Sequence, residues 1–240
     1  MADVVNWKVI AFDLDGTLTQ HKSKLDHDNR RILERLGERY RLLIVGAGSC
    51  RRIWEQLDRY PLDIIGHYGM QAATCQNGAL QIIDDQSAPV DREWALAQAM
   101  SLRKQWGLEQ YQGDSVEFHV SGLMTFPLLG TAASLEDKLA VDPSRAFRRR
   151  MLSTVRAAFY PYTVFVGGSS SFDIVPQPYN KRNALDSYCR RQHLSTSEII
   201  YVGDDYGPGG NDEDVYRSSY TFLCIDDYRK LASCVAKLLQ

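Results

Sequence analysis

The sequence predicts an α/β protein: a doubly wound parallel-sheet core carrying an inserted α+β cap, the cap being an antiparallel sheet with its helices on one face. Three observations carry this expectation. Short apolar runs alternate with helix-period segments near the N-terminal end, the same alternation returns near the C-terminal end, and the stretch between them changes to period-2 strands with short glycine turns.

In order, residues 8–12 form an apolar run that meets a cluster of Asp, Gly and Thr, as a buried strand does where it ends in a loop. Residues 28–40 place Ile32, Leu33 and Leu36 among charges, a helical pattern, and residues 41–45 are a second buried strand stopped by Gly46. Strand, helix and strand imply a right-handed parallel unit. Residues 49–59 predict another helix, 62–65 a third strand, and 72–83 a hairpin turning on Asn77-Gly78. The rhythm then shifts. A helix over 91–106 precedes alternation in Val116, Phe118 and Val120, a helix over 144–159, and alternation again in Tyr162, Val164 and Val166, with Ser121-Gly122 and Gly167-Gly168 as turns. The core resumes with a helix over 181–192, strands over 199–202 and 221–225, and a helix over 228–239. Residues 1–83 and 179–240 are therefore expected to form the core and 84–178 the cap.

Composition bounds the function. A chain of 240 residues, 44% hydrophobic and 24% charged, is an ordinary globular sequence of one or two domains, not a disordered or collagen-like one. No stretch approaches the ~18 consecutive apolar residues of a membrane span. Met1, Ala2 and Asp3 do not begin a basic region leading into an apolar one, so a soluble, unexported, cytoplasmic protein is expected. A formal charge of −2 offers no footprint for nucleic acid or anionic lipid. The five cysteines are widely spaced with no CxxC pair, and read as reduced thiols.

The sharpest chemical signal is Phe12-Asp13-Leu14-Asp15-Gly16-Thr17-Leu18-Thr19, at the carboxyl edge of the first strand, where open α/β sheets bind ligands. Asp13 and Asp15, two residues apart, point toward one crevice. A divalent cation such as Mg²⁺ would hold both ionised and would itself favour a phosphate ester. The bland alternative is a solvated turn capping a helix. Against it stand Lys181, after Pro176, Pro178 and Asn180, and the run from Gly203 to Asp212 directly after a buried strand. Phosphoryl transfer needs an aligned nucleophile and cations for the charged oxygens. Asp13 can supply the first, with Asp204 a further metal ligand and Lys181 a fixed positive charge. Gly209-Gly210-Asn211-Asp212 could equally be a turn and helix cap.

These segments resemble the haloacid dehalogenase-like phosphohydrolases, with their Rossmann-like core, and most closely the branch with a type IIB cap that contains the eukaryotic phosphomannomutases. The likeness rests on Phe12 to Thr19, on Ser171-Phe172-Asp173 with Lys181, and on the GD and PGGND parts of Gly203 to Asp212. The resemblance implies that Asp13 is a nucleophile forming an aspartyl phosphate and Asp15 the general acid/base. It implies Mg²⁺ held by Asp13, the Asp15 backbone carbonyl and Asp204, with Asn211 and Asp212 supporting the loop. Ser171 and Asp173 would face a sugar, and Ser49 or backbone amides near Gly48 would contact phosphate, since Gly46-Ala47-Gly48-Ser49 lacks the usual threonine. Related mutases pair through their caps, which makes a homodimer conceivable.

The departures from the resemblance decide between reactions. Where those mutases place arginines that grip the distal phosphate, this chain has Lys22, His119, Thr131 and Lys138. A guanidinium fork holds phosphate in a way a lysine point charge does not, and threonine is uncharged. A mutase must hold a bisphosphate by either end; a phosphatase need not. The expectation is a Mg²⁺-dependent phosphatase acting on a phosphorylated sugar or similar small metabolite, the alternative being a phosphohexomutase interconverting hexose 1- and 6-phosphates. A non-catalytic binding protein is disfavoured because Asp13, Asp15, Lys181 and Asp204 are all in place. Gly46-Ala47-Gly48 is only a partial dinucleotide fingerprint, with Arg51 where the third glycine belongs, and no GxxxxGK[ST] occurs. Arg145, Arg148, Arg149 and Arg150 read as the solvated face of a helix.

Overall fold

Val9–Phe12 (β1) is a run of four buried residues, and a strand covered on both faces needs a neighbour at each edge. The structure is a computed structural model describing residues 6–240, so the reading of Met1, Ala2 and Asp3 lies outside the described residues. The first half of the core continues through α1 (His27–Gly37), β2 (Arg41–Val45), α2 (Cys50–Gln56) and β3 (Asp63–Gly66). Asp26 caps α1 by accepting from the Asn29 amide at 2.8 Å, and Ser49 caps α2 by accepting from the Arg52 amide at 3.2 Å. The hairpin β4 (Gln71–Gln76) and β5 (Ala79–Asp85) turns on Asn77 and Gly78, both at positive φ, as a two-residue turn demands.

The inserted segment contains α3 (Arg92–Trp106), β6 (Glu117–Phe118), β7 (Met124–Pro127), α4 (Leu135–Ala140), α5 (Ala146–Ala158), β8 (Thr163–Gly167) and β9 (Ser171–Val175). Its strands form an antiparallel sheet in the order β6-β7-β9-β8. Met124, Phe126, Phe159 and Phe172 pack its interior. The expected strand through Val120 is cut short: His119 donates to the Leu123 carbonyl and Gly122 to that of His119, closing a turn that leaves Val120 97% exposed. The strand β7 follows the expected Ser121-Gly122 turn, and the helix α4 is an addition to the expectation.

The solvated reading of the arginine cluster is corrected at Arg148, which is fully buried. Its Nε donates to Asp142 Oδ2 at 2.9 Å, and its terminal nitrogens reach the carbonyls of Gly167, Gly168, Ser169 and Ser171. A buried guanidinium is tolerable because a carboxylate and five carbonyls, that of Asp142 among them, take its hydrogens. Arg103, also buried, donates instead to the Pro127 and Leu128 carbonyls at 2.6 and 2.7 Å and lies over the Phe126 ring.

The chain returns through α6 (Lys181–Gln192), β10 (Ile199–Gly203), α7 (Glu213–Tyr216), β11 (Thr221–Cys224) and α8 (Leu231–Cys234). The terminal helix expected over 228–239 is broken into short turns, with α8 the only α-helical piece, because Ser233, Cys234 and Val235 are weak helix formers. The seven-stranded sheet runs β11-β10-β1-β2-β3-β4-β5, parallel except at the β4 and β5 edge. Chain order moves outward from β1 through β2 and β3, and from β10 through β11 on the other side. The switch point lies between β1 and β10, the place where such sheets open a crevice. The core unit extends through Asp85 and resumes over Asn180–Gly207 and Asp212–Gln240; Gln86–Tyr179 and Pro208–Asn211 form the second unit. No helix among the described residues is long and apolar enough to cross a membrane.

Candidate active site

Phe12 pairs with Val202 in register, so the residues that follow β1 and β10 leave the sheet side by side. Asp13 follows directly, its amide donating to the Val202 carbonyl at 2.9 Å, and Asp204 follows Gly203. Lys181 opens α6 behind its Asn180 cap and is wholly buried; its Nζ donates to Asp13 Oδ1 at 2.5 Å and to Asp212 Oδ1 at 2.8 Å. The Tyr201 hydroxyl donates to the same Asp212 oxygen at 2.6 Å, and the Asp205 amide to Oδ2 at 3.1 Å. Asp212 is thus a buried anion whose hydrogen bonds aim Lys181 at Asp13.

Asp13, Asp204 and Asp212 each bring a carboxylate oxygen within 4.8 Å of the others. Burial raises the Asp13 pKa well above its ordinary value; Lys181 opposes that, while Asp212 and Asp204 reinforce it. Burial also works against the charge on Lys181, but Asp13 and Asp212 outweigh it and hold the ammonium above the usual lysine range. Three clustered carboxylates facing one ammonium are short of positive charge. Hard oxygen donors in that arrangement fit a divalent cation of the Mg²⁺ type. Gly16 permits the approach: its φ is +102°, and a Cβ there would stand 2.6 Å from Asp204 Oδ2. Thr17 Oγ1 donates to Asp204 Oδ1 at 3.2 Å. The structure places the Asp212 carboxylate inside this group rather than only behind it.

The Asp15 side chain turns to α2 instead. Its Oδ1 accepts from Gln56 Nε2 at 2.7 Å and from the Lys22 amide at 2.8 Å, while Oδ2 faces Arg52 Nη2 at 3.7 Å and His21 Nδ1 at 3.9 Å. Burial alone would raise its pKa, but His21 and Arg52, with the Gln56 and Lys22 hydrogen bonds, bring it below the ordinary carboxylate value. Lys22 meets Asp15 through its backbone, at φ 57°. Sequence reasoning missed Arg52 and Gln56; the available signal was their i, i+4 spacing on a helix starting just after a Gly-Ser turn. Ser49 Oγ lies at the cap of that helix, and the Cys50 amide donates to Gln71 Oε1 at 2.7 Å, so that amide is not available to phosphate.

In the second unit, Ser171 and Asp173 are two residues apart on β9 and share one side of it. Ser171 Oγ donates to the Gly167 carbonyl at 3.1 Å, and a Cβ on Gly167 would fall 2.6 Å from Asp173 Oδ1. Thr125 pairs with Asp173 in register, and its Oγ1 lies 3.1 Å from His119 Nε2, which gathers His119 and Asp173 around Thr125. Lys138 Nζ donates to the Thr131 carbonyl at 2.8 Å. Asn211 belongs to the second unit and Asp212 to the first.

The fold recurs in solved structures. A phosphatase of the haloalkanoate (HAD) enzyme superfamily from Bacteroides thetaiotaomicron superimposes with a TM-score of 0.62 at 14% identity, covering 99% of this chain and 97% of that one. The IMP-bound, N-terminally truncated IMP-nucleotidase of Plasmodium falciparum gives a TM-score of 0.67 at 14% identity, covering 98% of this chain and 68% of that one. At such identities the likeness is one of fold, and it defines the class: a HAD-type α/β core with an inserted cap. The model of the eukaryotic phosphomannomutase family matches residues 29–225, and the chain belongs to that family. Phosphomannomutase 1 of Mus musculus is 26% identical over 225 residues, 88% of this chain and 83% of the relative; the phosphomannomutase of Encephalitozoon cuniculi is 26% identical over 250 residues, 96% and 94%. The chain is accordingly a HAD-superfamily phosphotransferase or phosphatase, and the names of its relatives favour the mutase alternative over the expected phosphatase.

Proposed function

We propose that the chain transfers the phosphoryl group of a phosphorylated sugar to Asp13 and then to water. Lys181 occupies Asp13 Oδ1, which leaves Oδ2 as the attacking oxygen. Mg²⁺ held by Asp13, Asp204 and Asp212 would neutralise charge on the phosphoryl oxygens. The bond from phosphorus to the sugar oxygen breaks, and that oxygen takes a proton that Asp15, ionised at rest, first picks up from solvent. Asp15 recovers the proton from the water that attacks the aspartyl phosphate. Gln56 and the Lys22 amide hold it in the ionised form that this second step uses.

Two lines of support pull apart. Kinship favours a mutase, in which a hexose monophosphate rather than water discharges the intermediate. Hydrolysis is favoured by one observation: the positions where the mutases are expected to carry cap arginines hold His119, Thr131 and Lys138, and the Lys138 ammonium donates to a backbone carbonyl of its own segment. Retention of a bisphosphate depends on those side chains, so this observation carries our reading. Mannose 1-phosphate and a panel of other sugar phosphates, assayed for free phosphate with Mg²⁺ and with chelator, test it. A coupled assay for mannose 6-phosphate decides between the readings. Isomerisation faster than phosphate release and stimulated by hexose 1,6-bisphosphate would overturn hydrolysis in favour of the mutase.

A further inference from the structure

Gly48 lies outside the positive-φ region, so its backbone does not require glycine. Space does. A Cβ at that position would collide with the Arg52 guanidinium, its Cζ standing 2.6 Å away. Arg52 is thus folded back from α2 over the turn that precedes Ser49. Gln56, one helical turn on, fixes it there: Oε1 accepts from Arg52 Nη1 at 3.0 Å, while Nε2 donates to Asp15 Oδ1 and Thr19 Oγ1 at 2.7 and 2.9 Å. The guanidinium is therefore oriented and short of acceptors. Of its five N–H groups, one meets a protein acceptor within hydrogen-bond distance among the described residues. Nη2 is 3.7 Å from Asp15 Oδ2, too far for a hydrogen bond, and the side chain is 41% exposed.

We propose that Arg52 is an anion-binding residue of the core, contacting the phosphate ester beside Asp15 on the leaving-group side. The inference rests on the reading of Asp13 as nucleophile and Asp15 as its proton partner. Charge supports it. Asp13, Asp15, Asp204 and Asp212 carry four negative charges when ionised; Lys181 returns one and a divalent cation two, so a dianionic ester still meets a net negative site unless Arg52 contributes. Arginine suits the place better than lysine, because its fork can leave one arm on Gln56 while the other meets phosphate oxygens at charge-assisted distances of about 2.7–2.9 Å.

The test is binding of inorganic phosphate and orthovanadate to the Mg²⁺-loaded protein by calorimetry, with wild type, Arg52→Gln, Arg52→Lys and Gly48→Ala, each checked by circular dichroism. Arg52→Gln should weaken both anions about 10- to 100-fold. Arg52→Lys should recover part of that loss, and Gly48→Ala, which evicts the guanidinium without removing it, should weaken binding in the same direction. Affinities within twofold of wild type for folded Arg52→Gln protein, or for folded Gly48→Ala protein, would overturn the proposal. Anion binding by wild type that is lost in Arg52→Gln, together with no ester hydrolysis by wild type, would sink the phosphatase reading and leave the anion site standing.

Discussion

Replacing Lys181 by methionine keeps roughly the bulk of the side chain and removes its charge. Lys181 is wholly buried, with Asp212 fully buried and Asp13 6% exposed on either side of its ammonium and Asp204 within 4.8 Å of both. Without Nζ the two carboxylates face one another unpaired. Removing one partner of a buried ion pair costs about 3–5 kcal/mol, against a typical total stability of about 5–15 kcal/mol. With a urea slope of about 2 kcal/mol per molar, the midpoint should fall by roughly 1.5–2.5 M when chelator keeps cations away. The pH dependence has a definite sign. The variant can relieve the repulsion by protonating Asp13, whose carboxyl burial already raises. The folded variant then binds more protons than the unfolded chain between the ordinary Asp value near 3.9 and the raised folded value, so its stability falls as pH rises through that window. Urea unfolding at pH 5 and pH 8 should show the larger deficit at pH 8, and added Mg²⁺ should recover part of it. A Lys181→Met protein as stable as wild type at pH 8 in chelator, or one with the same deficit at both pH values, would refute the reasoning.

Asp13→Asn should abolish phosphate release while leaving the thermal melt in place, since the amide is a poor nucleophile of nearly the same shape; near-normal turnover by the folded variant would remove the covalent mechanism. Asp173→Ala should raise KM for a sugar phosphate far more than for p-nitrophenyl phosphate, because Asp173 belongs to the second unit and the proposed nucleophile to the first; equal losses on both would make it structural. Asp227 accepts hydrogen bonds from the Arg229 side chain and amide, which bring its pKa to about 2. An NMR carboxyl titration should place its midpoint there and move it toward 3.8 in Arg229→Gln; an unmoved midpoint would contradict the assignment.

Asp13 and Asp15 stood out because two aspartates two residues apart close a buried apolar run, and Lys181, which alone reads as a solvated lysine, only beside the other parts of a phosphoryl-transfer site. Gln56 did not. Its bond to Asp15 joins residues 41 apart, and the side chain earns its place only once α2 packs beside the loop after β1. Arg148 failed for the same reason, since a charge run on a helix says nothing about a buried Asp142 six residues earlier until the turn after β8 folds over both. Val120 continued an alternation that the strand leaves two residues sooner, after Phe118, for the turn at Ser121 and Gly122. Periodicity reports which faces are apolar; it does not report which polar groups long-range packing brings together.

The position of β1 has a consequence for synthesis. One of its edges is covered by β2, about thirty residues later in the chain, but the other waits for β10, whose pairing runs from Val9 with Ile199 to Phe12 with Val202. At about 5–20 residues per second, a ribosome needs on the order of 10–40 s to make the intervening stretch. Throughout that interval this inner strand of the sheet has an open, apolar edge, the kind that recruits strands from other chains. The whole second unit, with a core of its own, is made during the wait. Asp13 acquires Asp204 and Asp212 as neighbours only when the last sixth of the protein emerges, so a nascent chain stalled before Gly203 carries the nucleophile beside an unfinished sheet.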